Sequence, residues 1–227
     1  MRVRICSGLR VQELRNVRSM AQTDTDIELG IGDERAELGD HLAYLWESPE
    51  EFAEGVGFLC LGLEAGDYCV IFGHNDANEQ VLAVLRERGL DIEALMTSGR
   101  LTLMQGTEDA GAMLAGIGAS FGDSVGKGAR VIRLLGNLGW GRTGWPNERE
   151  ILAFEARVTD AARLFPCVVI CMYDVGRLSG RILVHGAYET HPRTIQRGVV
   201  RENPYHVSTD RFLESLSEPN PADSAGV

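Results

Sequence analysis

No stretch of the 227 residues is apolar for long enough to cross a bilayer, which as a helix takes ~20 consecutive apolar residues. No membrane span is therefore expected. The first segment, "MRVRICSGLRVQELRNVR", is basic but has no continuous apolar core, so it does not read as a secretory signal. Basic side chains are outnumbered throughout, 22 Lys and Arg against 33 Asp and Glu, for a formal charge of −11. Such a surface repels phosphate backbones, which argues against nucleic acid as a direct partner. The five cysteines (Cys6, Cys60, Cys69, Cys167 and Cys171) include no Cys-x-x-Cys pair. The clustered spacing of a zinc site is missing, so no metal and no cofactor is expected. Four of the five lie in apolar surroundings, as small buried hydrophobes do in a reducing cytosol, and the expected location is cytoplasmic. No Ser-His-Asp or Cys-His pattern emerges, and His74 in "FGHND" stands alone. With no nucleophile beside a credible base, no enzyme is expected.

What is there is a set of short apolar runs: "HLAYLW" (41–46), "YCVIFG" (68–73), "LTLMQ" (101–105), "RVIRLLG" (130–136), "CVVICMYD" (167–174) and "RILVHG" (181–186). Helical patterns separate most of them. Near-continuous apolar strands alternating with helices predict an α/β fold, a single three-layer domain with a mostly parallel sheet flanked by helices. The first helix has clear start signals. Ser48 caps it, Pro49 fits its first position and Glu51 completes a capping box; Gly66 ends it. A second helix is predicted over about 76–88, stopping at Gly89, and a third over about 147–165. Residues 1–36 read as a flexible extension outside the core, with Met20 a second candidate start. The domain proper is expected over 37–213, and 214–227, with "SEPNPADSAGV", reads as a flexible tail.

Two stretches invite a phosphate-loop reading. "GASFGDSVGKGAR" (118–130) fails it: three residues separate Gly122 from Gly126 where four are needed, Gly128 replaces Ser/Thr, and the stretch precedes a strand. A flexible loop is expected there. The turn "WESPEEF" has the right strand-turn-helix setting but offers Glu47, Glu50 and Glu51 and no Lys. At an effective dielectric near 20, each carboxylate–phosphate contact costs on the order of a few kcal/mol. The same carboxylates complement the helix dipole, so the turn is explained as a helix start.

Charge in the wrong place marks other residues. Glu155 falls inside the apolar stripe of the third helix, and Arg133 sits inside "VIRLL". Each needs a partner, and the economical expectation is that they meet or line one polar pocket. A buried ion pair without function is the alternative. Tyr173 and Asp174 end a strand, where ligands bind in open parallel sheets; Asp174 equally suits a turn cap. Trp140 and Trp145 follow the Arg133 strand and form either an apolar wall or loop anchors. His41 and His191 are further polar candidates, although a lone His is more often structural than catalytic.

The ordered segments "HLAYLWESPEEFAEGVGFLCLGLEAGDYCVIF", "LRERGLDIEALMTSGRLTL", "RVIRLLGNLGW", "FEARVTDAARLFPCVVICMYD", "HPRTI" and "ENPYHVSTDRFL" resemble the MEDS (methanogen/methylotroph, DcmR sensory) domain family over about residues 38–213. The resemblance implies a degenerate RecA/KaiC-like fold with its phosphate loop replaced by "WESPEEF", "GHND" in place of an acidic pair, and "VIRLLGN" lacking the metal-binding acid. Without these parts no ATP hydrolysis is expected. It also implies a ligand-binding set of His41, Arg133, Trp140, Glu155, Tyr173, Asp174 and His191, with Pro192 after it.

The implied function is a non-catalytic cytosolic sensory module. It binds a small organic ligand and relays the signal to a partner regulator or kinase, with a homo-oligomer as a further option. Two alternatives stand beside it: a ligand-free interaction scaffold or anti-regulator, and a residual nucleotide-binding ATPase.

Overall fold

A computed structural model describes residues 26–217. Seven strands form one sheet: β3 (His41–Trp46), β4 (Tyr68–Gly73), β5 (Leu101–Gln105), β6 (Ile132–Asn137), β7 (Cys167–Asp174), β8 (Arg193–Gln196) and β9 (Val199–Glu202). Their order across the sheet is β5-β4-β6-β7-β3-β8-β9. All neighbours are parallel except β8 and β9, which are antiparallel at one edge. A mixed α/β domain with a mostly parallel sheet is what the unbroken apolar strands predict, because helices cover both faces.

Alternation along each strand sorts the core into two halves. Leu42, Tyr44, Ile71, Leu135 and Ile170 face α1 (Pro49–Ala65), α2 (Asn75–Glu87) and α3 (Ile92–Thr97). Ala43, Phe72, Leu134, Val169 and Tyr173 face α4 (Ala110–Gly126) and α5 (Glu148–Ala162). The last helix, α7 (Thr209–Ser217), lays Phe212 on Leu152 and Ala156 of α5.

Helix α1 has the predicted Ser48 cap but not the predicted capping box. The Ser48 hydroxyl accepts from the Glu51 amide, Pro49 opens the first turn, and Gly66 closes the helix at φ 96°. The Glu51 carboxylate accepts the amide of Glu47, one residue before the cap, rather than that of Ser48. Helices α2 and α5 lie within a few residues of expectation, and Asn147 and Glu150 form a full capping box at the start of α5.

Three predicted segments differ. Residues 26–36 belong to the core: β1 (Asp26–Glu28) and β2 (Arg35–Glu37) pair antiparallel, and the loop between them buries Leu29 and Ile31 against α1. The rest of the predicted extension, 1–25, and residues 218–227 of the tail lie outside the described residues. "RILVHG" is not a strand. It is the short helix α6 (Gly180–Ile182) running into a π-helical turn, Leu183–Tyr188, with Ser179 capping the Ile182 amide. A six-residue apolar run has no periodicity that separates a strand from a buried helical turn. "GASFGDSVGKGAR" is largely helical, not a loop: Met113, Ile117 and Phe121 form the buried stripe of α4, while Gly118 and Gly122 look into open space.

Candidate functional site

At the carboxyl ends of β3, β4, β6 and β7 a cleft of about 280 Å³ opens to solvent. Open parallel sheets place ligands there, because the strand-to-helix turns diverge above the strand ends. Trp46 and Trp140 supply apolar walls, and His74, Asn137, Asp174 and Arg142 supply polar ones. Arg142 donates to Asp76 at 2.8 Å across the mouth. His74 caps α2 by accepting the Ala77 amide through Nδ1. Asp174 does both things expected of it: it faces the cleft, and its Oδ1 accepts the Gly176 amide to close the next turn.

Three of the residues that line this cleft carry a buried donor with no hydrogen-bond partner among the described residues: Trp46 Nε1, Trp140 Nε1 and Asn137 Nδ2. Leaving such a group unsatisfied costs about 1–3 kcal/mol. Trp145, by contrast, is an anchor. Its indole lies so close over Gly106 and Gly139 that a Cβ on either would come within 2.1 and 2.4 Å of the ring.

A second polar constellation lies inside the layer between the sheet and α5. His41 opens β3, Cys171 sits within β7, Glu155 points inward from α5, and His191 ends the turn before β8. All four are buried and offer ligand atoms within 4.8 Å of one another. His41 Nε2 lies 3.3 Å from Cys171 Sγ and 3.4 Å from Glu155 Oε2. Cys171 Sγ is 3.4 Å and His191 Nε2 3.7 Å from the same Oε2. The Tyr173 hydroxyl donates to Glu155 Oε1 at 2.8 Å.

Outer hydrogen bonds fix the imidazole tautomers. The Thr159 hydroxyl spends its one proton on the Thr190 carbonyl at 2.7 Å, so it accepts from His41 Nδ1–H at 2.9 Å. His191 Nδ1 lies 3.1 Å from the Gly186 carbonyl, which only accepts. Both Nε2 atoms are therefore bare lone pairs aimed at the carboxylate. Burial lowers both imidazoles to about 3 and raises Glu155. The His–Glu contacts are thus not ion pairs near neutral pH, short as they are.

The seven predicted residues fall into three groups. Trp140 and Asp174 line the cleft. His41, Glu155, Tyr173 and His191 belong to the buried constellation, joined by Cys171, which the sequence marked only as a buried hydrophobe. Tyr173 bridges the two, its ring centroid 6.2 Å from that of Trp140.

Arg133 belongs to neither group, and its expected meeting with Glu155 does not occur. Successive strand residues point to opposite faces, and Arg133 points to the α1 side, where only 3% of its surface is exposed. There it donates to Asp67 Oδ2 at 2.7 Å, the Glu28 carbonyl at 2.8 Å and the Phe58 carbonyl at 3.2 Å. Its guanidinium sits 5.0 Å above the Phe58 ring. The buried ion pair exists, with a different acid.

Comparison with known proteins matches residues 40–192 to the family described as MEDS, the MEthanogen/methylotroph, DcmR Sensory domain. The chain belongs to the MEDS family. The matched span runs from just before β3 to just before β8 and so contains both constellations. The MEDS chain is also 26% identical over 157 residues to a transcriptional repressor, DcmR, of Methylorubrum extorquens (strain DSM 6343 / CIP 106787 / DM4). That alignment covers 68% of this chain and 59% of the repressor, so the MEDS domain here spans well under two thirds of that relative. No helix among the described residues is long and apolar enough to cross a membrane.

Proposed function

We propose that this MEDS domain is a non-catalytic, cytoplasmic sensory module that binds a small organic ligand in the strand-end cleft and relays its occupancy to a protein partner in transcriptional regulation. The observation that carries the reading is the strand-end cleft itself, whose lining includes Trp46, Trp140 and Asn137, three residues that each hold a buried side-chain N–H without a hydrogen-bond partner among the described residues. Flat apolar walls with a few fixed donors suit a compact organic molecule bearing a hydrogen-bond acceptor, such as a carbonyl or carboxylate. The repressor relative supports the regulatory part of the reading. The acidic turn after Trp46 disfavours a triphosphate there, which weighs against a residual ATPase, and the RecA/KaiC kinship implied by the resemblance remains part of this proposal.

Signalling requires the ligand to prefer one of two conformations or assemblies. The test is a thermal-shift screen against small carbonyl, carboxylate and alcohol compounds, comparing wild type with Trp140→Phe and Trp46→Phe. These variants keep an aromatic wall and remove one donor. The expected result is saturable stabilisation by one compound class and about 5–10-fold weaker binding in each variant, the equivalent of ~1 kcal/mol per hydrogen bond. A wild-type protein that no compound shifts, yet that co-purifies with a partner, overturns the ligand reading in favour of a scaffold.

A further inference from the structure

We propose that His41, Glu155, Cys171 and His191 form a closed tetrahedral site for one divalent zinc-class cation. The inference is independent of the ligand reading, since none of the four residues lines the cleft. Geometry is the first support. Zinc bonds of about 2.0–2.3 Å to nitrogen, oxygen and sulfur give tetrahedral edges of about 3.3–3.6 Å. The resolved edges, His41–Cys171, His41–Glu155, Cys171–Glu155 and His191–Glu155, measure 3.3, 3.4, 3.4 and 3.7 Å. The two remaining edges, His41–His191 and Cys171–His191, lie within 4.8 Å, so closing the set around a cation draws His191 inward by up to about an ångström.

The second support is the supply of protons. Both imidazoles point bare Nε2 lone pairs inward, and His191 Nε2 has no hydrogen-bond partner among the described residues although it is fully buried. The Tyr173 proton is committed to Glu155 Oε1. Four lone-pair donors thus converge in a dry site where the Cys171 thiol is the one donor shown among them. A divalent cation resolves this. Binding releases the Cys171 proton to solvent, and the thiolate, carboxylate and two neutral imidazoles leave the centre with zero net charge.

Third, each imidazole has the outer partner that metal-ligating histidines use: Thr159 behind His41 and the Gly186 carbonyl behind His191. Tyr173 does the same for the carboxylate. With one thiolate and two imidazoles the donor set suits zinc rather than calcium or magnesium. All four positions come from protein, so no position stays open for substrate, and the site joins α5 to β3, β7 and the π-helical turn.

The test is protein expressed without an affinity tag that binds metal, in medium supplemented with zinc or, separately, cobalt. The expected results are one zinc per chain by elemental mass spectrometry and, with cobalt, tetrahedral d–d bands plus a thiolate-to-metal charge-transfer band. Cys171→Ser abolishes the charge-transfer band and His191→Ala lowers metal content, while Cys60→Ser changes neither. Should the variants fail to fold, X-ray absorption of the wild-type zinc protein decides: a first shell of one sulfur and three nitrogen or oxygen atoms supports the site, and an all-oxygen shell overturns it. Wild-type protein with substoichiometric zinc and no cobalt charge transfer overturns it as well.

Discussion

Replacing Arg133 with Met tests whether that side chain holds the fold or serves a ligand. The substitution keeps the apolar stem and deletes the guanidinium. Asp67, whose side chain is 15% exposed, then loses its cation at 2.7 Å, and the Glu28 and Phe58 carbonyls lose their donor. Removing one partner of a buried ion pair typically destabilises by about 3–5 kcal/mol, because the surviving charge stays desolvated. Partial exposure of Asp67 softens its share; the two orphaned carbonyls add to it. At roughly 2–4 °C per kcal/mol for a domain of this size, Tm should fall on the order of 10 °C. A cycle with Asp67→Leu separates the pair from its surroundings: the double variant should recover part of the loss, with a coupling energy of about 1–3 kcal/mol. Ligand affinity at the strand-end cleft should stay unchanged, since Arg133 faces the other side of the sheet. Urea denaturation gives the stabilities. A loss below ~1 kcal/mol, or a ligand defect at unchanged stability, would refute the assignment.

The other predictions concern packing and pH. Gly62→Ala should destabilise by about 1–3 kcal/mol despite the better helix propensity of Ala, since its Cβ would lie 2.3 Å from Arg133 Cδ; an unchanged urea midpoint counts against this packing. Gly106→Ala should push Trp145 off its seat, seen as a changed tryptophan emission together with a loss of the same order, because the added Cβ would lie 2.1 Å from the ring. His74 is held below its ordinary value of 6.5 by burial and then by the Arg142 charge, with Asp76 acting the other way. The unfolded chain therefore binds more protons just below pH 6.5, so the His74 contribution is complete above that value and is lost as pH falls. His74→Asn, which retains a capping side chain, should flatten the dependence of Tm on pH in the acidic range; an identical profile refutes it.

How far the sequence carries the argument depends on the distance over which each signal acts. The starts of α1 and α5 were readable because Ser48 with Glu51, and the apolar stripe from Ile151 to Ala162, act within one or two turns. Strands β3 to β7 were readable because both faces are covered, which leaves apolar runs such as "CVVICMYD"; β8 and β9, four residues each and carrying Arg193, Gln196, Arg201 and Glu202, were not. The fold of 118–130 was obscured by Gly118 and Gly122, which suggest a loop; the better signal was Met113, Ile117 and Phe121 at helical spacing. Misplaced charge picked out Arg133 and Glu155 correctly as buried. It could not say which partner each meets, because that depends on which face of the sheet each occupies and on the strand order. The His41–Cys171 contact spans 130 residues of chain, so no local spacing betrays it. Two histidines that look ordinary in isolation acquire meaning only once β3, β7 and the π-helical turn lie side by side.

That same arrangement links the two constellations. Tyr173 lies on β7 with its hydroxyl on Glu155 and its ring edge-on to His191 at 5.6 Å. On its other side stands Trp140, and Gly186 is pressed against both rings: a Cβ there would meet Trp140 and Tyr173 atoms at 3.3 Å. Close-packed contacts of this kind transmit displacement, because there is no spare volume to absorb it. A ligand that moves the Trp140 indole acts on Tyr173 and on the π-helical turn, and through them on the hydrogen bonds that orient Glu155 and His191. Reciprocity follows from linkage: whatever stabilises the buried constellation must shift cleft affinity by the same factor that cleft occupancy shifts it. If zinc holds Glu155 and His191 as proposed, ligand affinity measured with and without metal must therefore differ by the factor by which ligand changes metal affinity. Equal affinities in the two states would mean that the shared Tyr173–Trp140 contact carries packing but no signal.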